Sequence, residues 1–345
     1  MSDIHTRIEG KLGRITLTRP KAMNALSYEM CLEVEKALDA WRDDDSVKMI
    51  LIDALGDRAF CAGGDIAEIY DSGLRQDYDY GRRFWRDEYR MNAKMAHYPK
   101  PVASMMQGFT MGGGVGLGCH GSLRIVGESS QIAMPECGIG LVPDVGGCYI
   151  LARAPGHVGA YIGLTGTRLK AGDAIHTGFA DHFIPEQDWP ALTQALIETG
   201  DPGLITAAAK PAPEGDLPGL ADEISKHFAH ADLPGVVASL KSDDGDFAAQ
   251  TLKTLRRNSP LSMGCTLEIL HRLHGIQDIS QSLEMEYRFT HRAMEHADFI
   301  EGIRAAIIDK DRNPQWRHAL EDDLSQSIND MLAPLGAEAL KLEEN

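Results

Sequence analysis

Two carboxylates, Glu136 and Asp144, stand close together in an apolar stretch rich in glycine and proline, MPECGIGLVPDVGG. A carboxylate held in a dry pocket is a candidate for a general base, a general acid or a nucleophile. Each residue also has an ordinary structural interpretation, because a Pro-Glu pair is usually a surface turn and an aspartate before Val-Gly-Gly is usually a turn or cap residue. The glycine-rich segments upstream favour catalysis over these alternatives.

Those upstream segments are AFCAGGD, which ends at Asp65, and MGGGVGL, which contains the triplet Gly112 to Gly114. A glycine run lets backbone N–H groups approach a ligand, and at a helix start those groups favour negative charge. The N–H of Gly64 is predicted to supply half of an anion site, with Asp65 holding the loop or the helix start. For this loop alone, a turn whose glycines only provide positive φ is an equally good interpretation. An oxyanion cradle beside carboxylates predicts acyl chemistry on a thioester.

Other patterns that suggest chemistry are rejected on their context. The letters from Gly116 to Gly121 match G-x-G-x-x-G, but they do not directly follow a predicted strand, so NAD binding is rejected. His271 and His274 share a helix face, yet no third ligand accompanies them at metal spacing, so no metal is predicted. A G-x-S-x-G nucleophile elbow is absent from the sequence.

The composition is that of an acidic globular protein. The 345 residues carry a net charge of -17, which disfavours nucleic acid and anionic membranes, although coenzyme A needs only a local basic patch. The six cysteines are scattered and are interpreted as reduced, buried thiols, although Cys61 and Cys137 lie near the motifs. Because the cysteines are interpreted as reduced, a cytoplasmic protein is expected. The start MSDIHTRIEG resembles no signal peptide, and no apolar run is long enough to span a bilayer.

Strand and helix patterns alternate over the first half of the chain. A hairpin is predicted from Ile4 to Thr18 with Gly10 and Gly13 around its turn, followed by a helix capped by Ser27 and by buried strands such as Val102 to Met106. After a proline- and glycine-rich connector, helical periodicity returns beyond Phe247. An α/β core over residues 1–199 and a connector with a C-terminal helical region over residues 200–345 are therefore predicted.

The order of the motifs AFCAGGD, MGGGVGL, MPE and GLVPDVGG, together with RPKAMNAL near the N-terminus, resembles the crotonase (enoyl-CoA hydratase/isomerase) superfamily. The combination MPE…PDVGG, the helix segment RDEYR and the terminal DFIEGIRAAIIDKDRNPQW resemble its 3-hydroxyisobutyryl-CoA hydrolase branch. The resemblance implies a fold of repeated ββα units. It also implies an acyl-CoA whose thioester carbonyl meets the N–H groups of Gly64 and Gly113, with Ala62 and its loop beside the coenzyme and no further cofactor.

The resemblance also assigns the carboxylates. Glu136 matches the second of the two glutamates of the superfamily's hydratases, whereas the first would fall at Gly116, which has no side chain. Asp144 stands where hydratases carry glycine, which is the hydrolase pattern. Glu88 is carried over as a substrate-binding residue, together with Ala62 and Asp65, although from the residues alone Glu88 is more often a solvated helix carboxylate.

The expected function is hydrolysis of a short branched 3-hydroxyacyl-CoA, with Glu136 acting either as the nucleophile or as the base for a water. Asp144 would orient water, bind the substrate hydroxyl or protonate the leaving thiolate. Two alternatives stay open: an enoyl-CoA hydratase or isomerase, and a non-catalytic homologue that binds acyl-CoA or RNA. The superfamily's trimers and hexamers make a homo-oligomer possible, although the C-terminal helices could cover the assembly faces.

Overall fold

The computed structural model describes residues 3–342 of the chain. The strands are β1 Ile4–Glu9, β2 Leu12–Leu17, β3 Met49–Ala54, β4 Ala59–Cys61, β5 Val102–Met106, β6 Phe109–Met111, β7 Leu123–Val126, β8 Gln131–Ala133 and β9 His182–Phe183. The helices are α1 Tyr28–Arg42, α2 Ala67–Leu74, α3 Tyr78–Ala96, α4 Gly113–Gly118, α5 Gly147–Arg153, α6 Val158–Thr165, α7 Ala171–His176, α8 Trp189–Thr199, α9 Gly203–Ala208, α10 Ala221–Phe228, α11 Leu233–Lys241, α12 Asp246–Leu255, α13 Pro260–Arg272, α14 Ile279–His296, α15 Phe299–Ile303 and α16 Ser325–Met331.

The strands form two sheets, one in the order β1-β2-β3-β5-β7-β9 and one in the order β4-β6-β8. Strands β1 and β2 are antiparallel, and the pairs that follow them are parallel. Three times in succession, one strand joins the larger sheet and the next joins the smaller sheet: β3 then β4, β5 then β6, and β7 then β8. Helices α2 and α4 follow the first two pairs, and a 3₁₀ turn, Glu136–Ile139, follows the third. The predicted α/β fold of repeated ββα units with a C-terminal helical region is confirmed.

The chain forms two compact units, each built from segments that are separated in sequence. Unit 1 comprises residues 3–65, 90–133 and 168–216 and contains both sheets. Unit 2 comprises residues 66–89, 134–167 and 217–342 and is helical. The division of the chain into a core over residues 1–199 and a helical region over residues 200–345 stays a prediction.

The N-terminal elements follow local sequence rules closely. Gly10, with φ 59°, provides the left-handed residue of the predicted hairpin turn. Gly13, predicted beside that turn, instead lies in β2, where an added Cβ would come within 2.4 Å of the Trp41 ring. Its role is therefore close packing against α1. That helix begins as predicted, with the Ser27 side chain accepting a hydrogen bond from the Met30 amide at 3.3 Å.

The core of unit 1 lies between the larger sheet and helices α8 and α9. Alternate residues of neighbouring strands point to the same face, as the period of an extended chain requires. The buried side chains that fill this layer are Leu12, Met49, Leu51, Ala103, Met105, Ile125, Trp189, Leu192, Leu196 and Ile205. This packing fixes the strands from which the glycine loops emerge. Among residues 3–342, no helix is both long enough and apolar enough to cross a membrane.

Candidate active site

The two glycine loops lie side by side in unit 1, because each leaves the end of one of two paired parallel strands. Strand β4 pairs with β6, and the loops follow Cys61 and Met111. A Cβ added at Gly114 would lie 2.1 Å from the carbonyl oxygen of Cys61, a distance no side chain tolerates. Gly112 and Gly63 have φ values of 47° and 109°, a region that favours glycine. Glycine is thus required here by both contact and backbone conformation.

The predicted donors, the amides of Gly64 and Gly113, are both left available by the backbone. Leu26 donates to the Gly63 carbonyl at 2.9 Å and accepts from the Asp65 amide at 2.8 Å. In a parallel bridge this arrangement turns the N–H of the intervening Gly64 to the opposite side of its strand. Gly113 begins α4, and the first amides of a helix have no acceptor within it. Within the described residues, neither amide donates to another backbone carbonyl.

The RPKAMNAL segment holds the first glycine loop in place. The buried Asn24 donates to the carbonyls of Leu55 and Ala59 at 3.0 and 2.9 Å. The Arg19 guanidinium donates to the Asp65 carboxylate at 3.0 Å, so Asp65 is held by an ion pair at the loop's end. The amide of Ala62 donates to the Met23 carbonyl at 3.1 Å. The role of Asn24 was missed from the sequence, although asparagine is a typical turn residue. In the structure Asn24 has φ 54°, a left-handed conformation that asparagine tolerates.

The carboxylates Glu88, Glu136 and Asp144 lie in unit 2 and are brought together there. Their exposed fractions are only 4%, 5% and 5%. One oxygen of Glu136 and one of Glu88 are buried without a hydrogen-bond partner among the described residues. Buried polar atoms in folded proteins are normally hydrogen-bonded, so each of these oxygens is left able to accept a hydrogen bond from a substrate or a water.

Burial and mutual repulsion shift the proton affinities of these three acids. Burial raises the pKa of Asp144 to about 7, although the Tyr89 hydroxyl, which donates to its Oδ2 at 2.8 Å, opposes the shift. Burial and then the charge of Asp144 raise the pKa of Glu136 well above its ordinary value. The same two causes raise the pKa of Glu88 well above its ordinary value. A carboxyl group with a pKa of about 7, as Asp144 has, can exchange protons near neutral pH, as acid–base catalysis requires.

The turn that carries Glu136 is supported by the terminal DFIEGIR segment, also in unit 2. A Cβ added at Gly302 of α15 would lie 2.1 Å from the Ile139 carbonyl, and one at Gly140 would lie 2.5 Å from the backbone of Asp298. Asp298 in turn accepts a hydrogen bond from the Ser259 hydroxyl at 2.7 Å. The motif therefore contributes tight backbone packing behind the turn of a predicted catalytic residue.

Two residues that contact the Asp144 segment were missed from the sequence. Tyr89 lies in the RDEYR segment, for which the sequence predicted no role of the tyrosine. Glu286, in α14, accepts hydrogen bonds from the backbone of Gly146 and Cys148. A signal was present, because Leu283, Glu286 and Tyr287 recur at helical spacing, which places a glutamate on an apolar face.

One group of side chains in the described residues has the composition of a metal site: Glu223, His227 and Asp243. The His227 nitrogens are hydrogen-bonded to Ser239 at 2.9 Å and to Asp243 at 3.1 Å, and Lys226 pairs with Asp243. The hydrogen bond from Lys226 lowers the pKa of Asp243 to about 2. These groups satisfy one another as an ion-pair cluster far in sequence from the predicted catalytic residues.

The six cysteines are all buried, and none forms a disulfide within residues 3–342: Cys31, Cys61, Cys119, Cys137, Cys148 and Cys265. Burial raises the pKa of the Cys119 and Cys137 thiols to about 12. The Cys148 thiol donates to the Pro143 carbonyl at 2.9 Å. Thiols in this environment are not nucleophiles at neutral pH.

Comparison with known proteins identifies the class. The model of the enoyl-CoA hydratase/isomerase family matches residues 12–332, and the chain belongs to this family. Its relatives include the mitochondrial 3-hydroxyisobutyryl-CoA hydrolase of Gallus gallus, 36% identical over 99% of this chain and 91% of that protein. The corresponding hydrolase of Xenopus tropicalis is 37% identical over 96% of this chain and 89% of its own length. The predicted crotonase membership and its 3-hydroxyisobutyryl-CoA hydrolase branch are thereby confirmed, and with them the prediction of an enzyme.

Solved structures with the same fold carry other names. An enoyl-CoA hydratase from Rhodobacter sphaeroides superposes with a TM-score of 0.94 at 55% identity and covers 99% of this chain and 100% of its own. A carnitinyl-CoA dehydratase from Mycobacterium thermoresistibile gives the same TM-score at 37% identity, with both chains covered completely. The fold is therefore shared by proteins whose names describe hydrolysis, hydration and dehydration.

Proposed function

We propose that this protein hydrolyses short branched 3-hydroxyacyl-CoA thioesters, with 3-hydroxyisobutyryl-CoA giving 3-hydroxyisobutyrate and CoA as the preferred reaction, a step of valine breakdown. The observation that carries the proposal is the pairing of the buried Glu136 and Asp144 in unit 2. The names of relatives that match nearly the whole chain support the same reaction.

The proposed chemistry passes through a tetrahedral intermediate. The amides of Gly64 and Gly113 stabilise the negative oxygen of the former carbonyl, and losing one such donor typically costs roughly 3–4 kcal/mol of barrier. Glu136 either attacks the carbonyl carbon or deprotonates the water that attacks it. When the carbon–sulfur bond breaks, Asp144 gives a proton to the CoA thiolate. Glu88 and the loop around Ala62 contact the substrate, and CoA enters only as part of that substrate.

The two roles of Glu136 make different isotopic predictions. If Glu136 attacks, a mixed anhydride forms and water then opens it, which can place a water oxygen in the side chain of Glu136. If Glu136 is a base, the water oxygen appears only in the released acid. Heavy oxygen in the peptide that contains Glu136, detected by mass spectrometry after many turnovers in labelled water, would establish the nucleophilic route.

A hydratase is the second candidate, favoured by the name of the structure that is 55% identical. Hydration by this superfamily uses two glutamates, and the position of the first is Gly116, inside α4 and without a side chain. This is the observation that favours hydrolysis. The relatives' names place them in mitochondria, whereas the cytoplasmic location of this chain remains a prediction from its reduced cysteines. Acyl-CoA is the partner proposed, with no nucleic acid.

A thiol-release assay decides between these functions. The panel comprises 3-hydroxyisobutyryl-CoA, 3-hydroxybutyryl-CoA, isobutyryl-CoA and crotonyl-CoA, with Glu136→Ala and Glu136→Gln as controls. We expect free thiol from the branched 3-hydroxyacyl-CoA and a loss of at least about 100-fold in kcat in both variants. Loss of enoyl absorbance without thiol would instead support the hydratase, and tight acyl-CoA binding without turnover would support a non-catalytic homologue.

A further inference from the structure

We propose that Glu286 is a positioning residue for Asp144, because its buried carboxylate holds the backbone turn that immediately follows Asp144. This inference rests on the proposed function, in which Asp144 takes part in thioester cleavage. It adds a residue of α14 that is distant in sequence from both catalytic motifs.

The two carboxyl oxygens of Glu286 each accept a hydrogen bond from the backbone of the turn after Asp144, an arrangement called the clamp below. The side chain is fully buried. Its Oε2 accepts from the Gly146 amide at 2.8 Å, and its Oε1 accepts from the Cys148 amide at 3.0 Å. The Ser282 hydroxyl, one helical turn away, donates to Oε1 at 2.7 Å. Both oxygens are therefore engaged by the short segment that begins after Asp144.

That segment needs external support because its backbone is unfavourable. Val145 has φ 53° and Gly146 has φ 78°, so two consecutive residues are left-handed. Glycine adopts this conformation readily, but a β-branched valine does so rarely. The two amides that the turn directs to one side meet the Glu286 carboxylate, as anions commonly meet such backbone concavities. The geometry indicates that the clamp holds Val145 in this conformation.

The other end of the turn carries the Asp144 side chain. Its Oδ2 accepts the Tyr89 hydroxyl, and the Asp144 carbonyl accepts from the Gly147 amide at 2.7 Å. Asp144 is thus located by Tyr89 through its side chain and by Glu286 through the next residues of the backbone. A small rotation of the Val145 peptide would move the carboxylate, and misplacement by about 1 Å commonly costs around 100-fold in rate.

Glutamine distinguishes a clamp from a space-filling side chain. A carboxylate offers two acceptor oxygens, whereas glutamine offers one acceptor and an NH₂ group that would face an amide N–H. We expect Glu286→Gln to lower kcat by about 10- to 100-fold. The KM for the acyl-CoA should stay within about twofold, because the variant does not alter the loop around Ala62 that is proposed to contact the coenzyme. The matched control is Glu35→Gln, which alters a buried carboxylate of α1 that pairs with Arg90 and Lys94 of α3. No change in kcat is expected in this variant.

Introducing Glu286→Gln into a Val145→Gly protein tests whether the left-handed conformation of Val145 is the reason that Glu286 is needed. Glycine at position 145 adopts positive φ without penalty, so in a Val145→Gly protein the clamp is needed less. We expect Glu286→Gln to cost less than about fivefold in kcat when it is introduced into that background. An equal loss in both backgrounds, or a folded Glu286→Gln protein with unchanged kcat, would overturn the proposal.

Two further measurements keep the test decisive. If Glu286→Gln does not fold, Glu286→Asp replaces it, because the shorter side chain cannot reach both amides. An unchanged kcat in Glu286→Asp would equally overturn the proposal. Hydrogen exchange of the peptide containing Gly146 and Cys148 should quicken by at least about tenfold in Glu286→Gln relative to wild type, and unchanged exchange would mean that no clamp exists. Because exchange needs no substrate, an absence of thiol release by the wild type would contradict the proposed function without affecting this readout.

Discussion

At the scale of single residues, the site contains three buried acids whose pKa values are raised. Burial raises the pKa of Glu88, Glu136 and Asp144, and the charge of Asp144 adds to the shift for the two glutamates. Among residues 3–342, Asp144 is the one of these three acids that accepts a side-chain hydrogen bond, from the hydroxyl of Tyr89. A hydrogen bond to the charged form of an acid stabilises that form. The Tyr89 hydroxyl therefore stabilises the ionised form of Asp144 and opposes the effect of burial on its pKa.

This leads to a prediction for Tyr89→Phe. Without the hydroxyl, the pKa of Asp144 should rise further above about 7, so the limb of the pH–rate profile that Asp144→Asn abolishes should move up by about one pH unit. Tyr98→Phe is the matched control, because the Tyr98 hydroxyl donates to the Leu38 carbonyl at 2.6 Å in unit 1. A limb that stays in place in Tyr89→Phe would show that the hydroxyl does not tune Asp144.

At the scale of elements, the glycine loops are positioned by the pairing of β4 with β6. The sequence predicted both loops, because glycine runs after apolar strands are local signals. It did not predict how closely they approach each other, which depends on the Gly114–Cys61 contact between strands that are far apart in the chain. The separation of two amide donors is thus a property of sheet register, which residue types alone do not reveal.

Gly114→Ala is predicted to separate these loops. The added methyl group cannot lie 2.1 Å from the Cys61 carbonyl, so the start of α4 must shift and take the Gly113 amide with it. We expect overpacking to lower the unfolding free energy by about 1–3 kcal/mol and kcat to fall by about 100-fold. Thermal melts and thiol release measure the two effects. Gly219→Ala, whose Cβ would have nothing within 4 Å, should change neither.

At the scale of the whole molecule, the part predicted best is the one encoded by short contiguous motifs. The ββα core, the Ser27 cap, and the burial of Glu136 and Asp144 fall in this class. What escaped prediction depends on distant partners. Glu286 is 140 residues from Gly146 in sequence, and an isolated glutamate in a helix is ordinarily solvated, so only the packing of α14 against α5 reveals its role.

The buried acids also make stability depend on pH. An acid whose pKa is raised on folding binds more protons in the native state, so the unfolding free energy falls as pH rises from about 4 toward the native pKa. Asp144, with a native pKa of about 7, should therefore cost stability between pH 5 and pH 8. We expect Asp144→Asn to reduce the loss of unfolding free energy over that interval by about 2–4 kcal/mol in urea titrations.

Asp181→Asn is the opposite case and serves as the control. Burial raises the pKa of Asp181, but hydrogen bonds from Arg124 and its charge outweigh burial and hold that pKa below its ordinary value. The stability that this pair contributes is present throughout pH 5 to 8 and is lost only in acid. Asp181→Asn should consequently lower the unfolding free energy equally at both pH values. A similar pH slope in wild type and Asp144→Asn would contradict the assignment.

The burial of the six cysteine side chains has a practical consequence for the activity assay. All six are inaccessible to solvent in the folded protein, and burial raises the pKa of Cys119, Cys137, Cys148 and Cys265. The native enzyme should therefore not react with aromatic disulfide reagents. Colour developed in such a continuous reaction would then report liberated CoA alone, with no background from the catalyst. Denaturant should unmask the protein's own thiols and provide an independent titration of how much enzyme is folded.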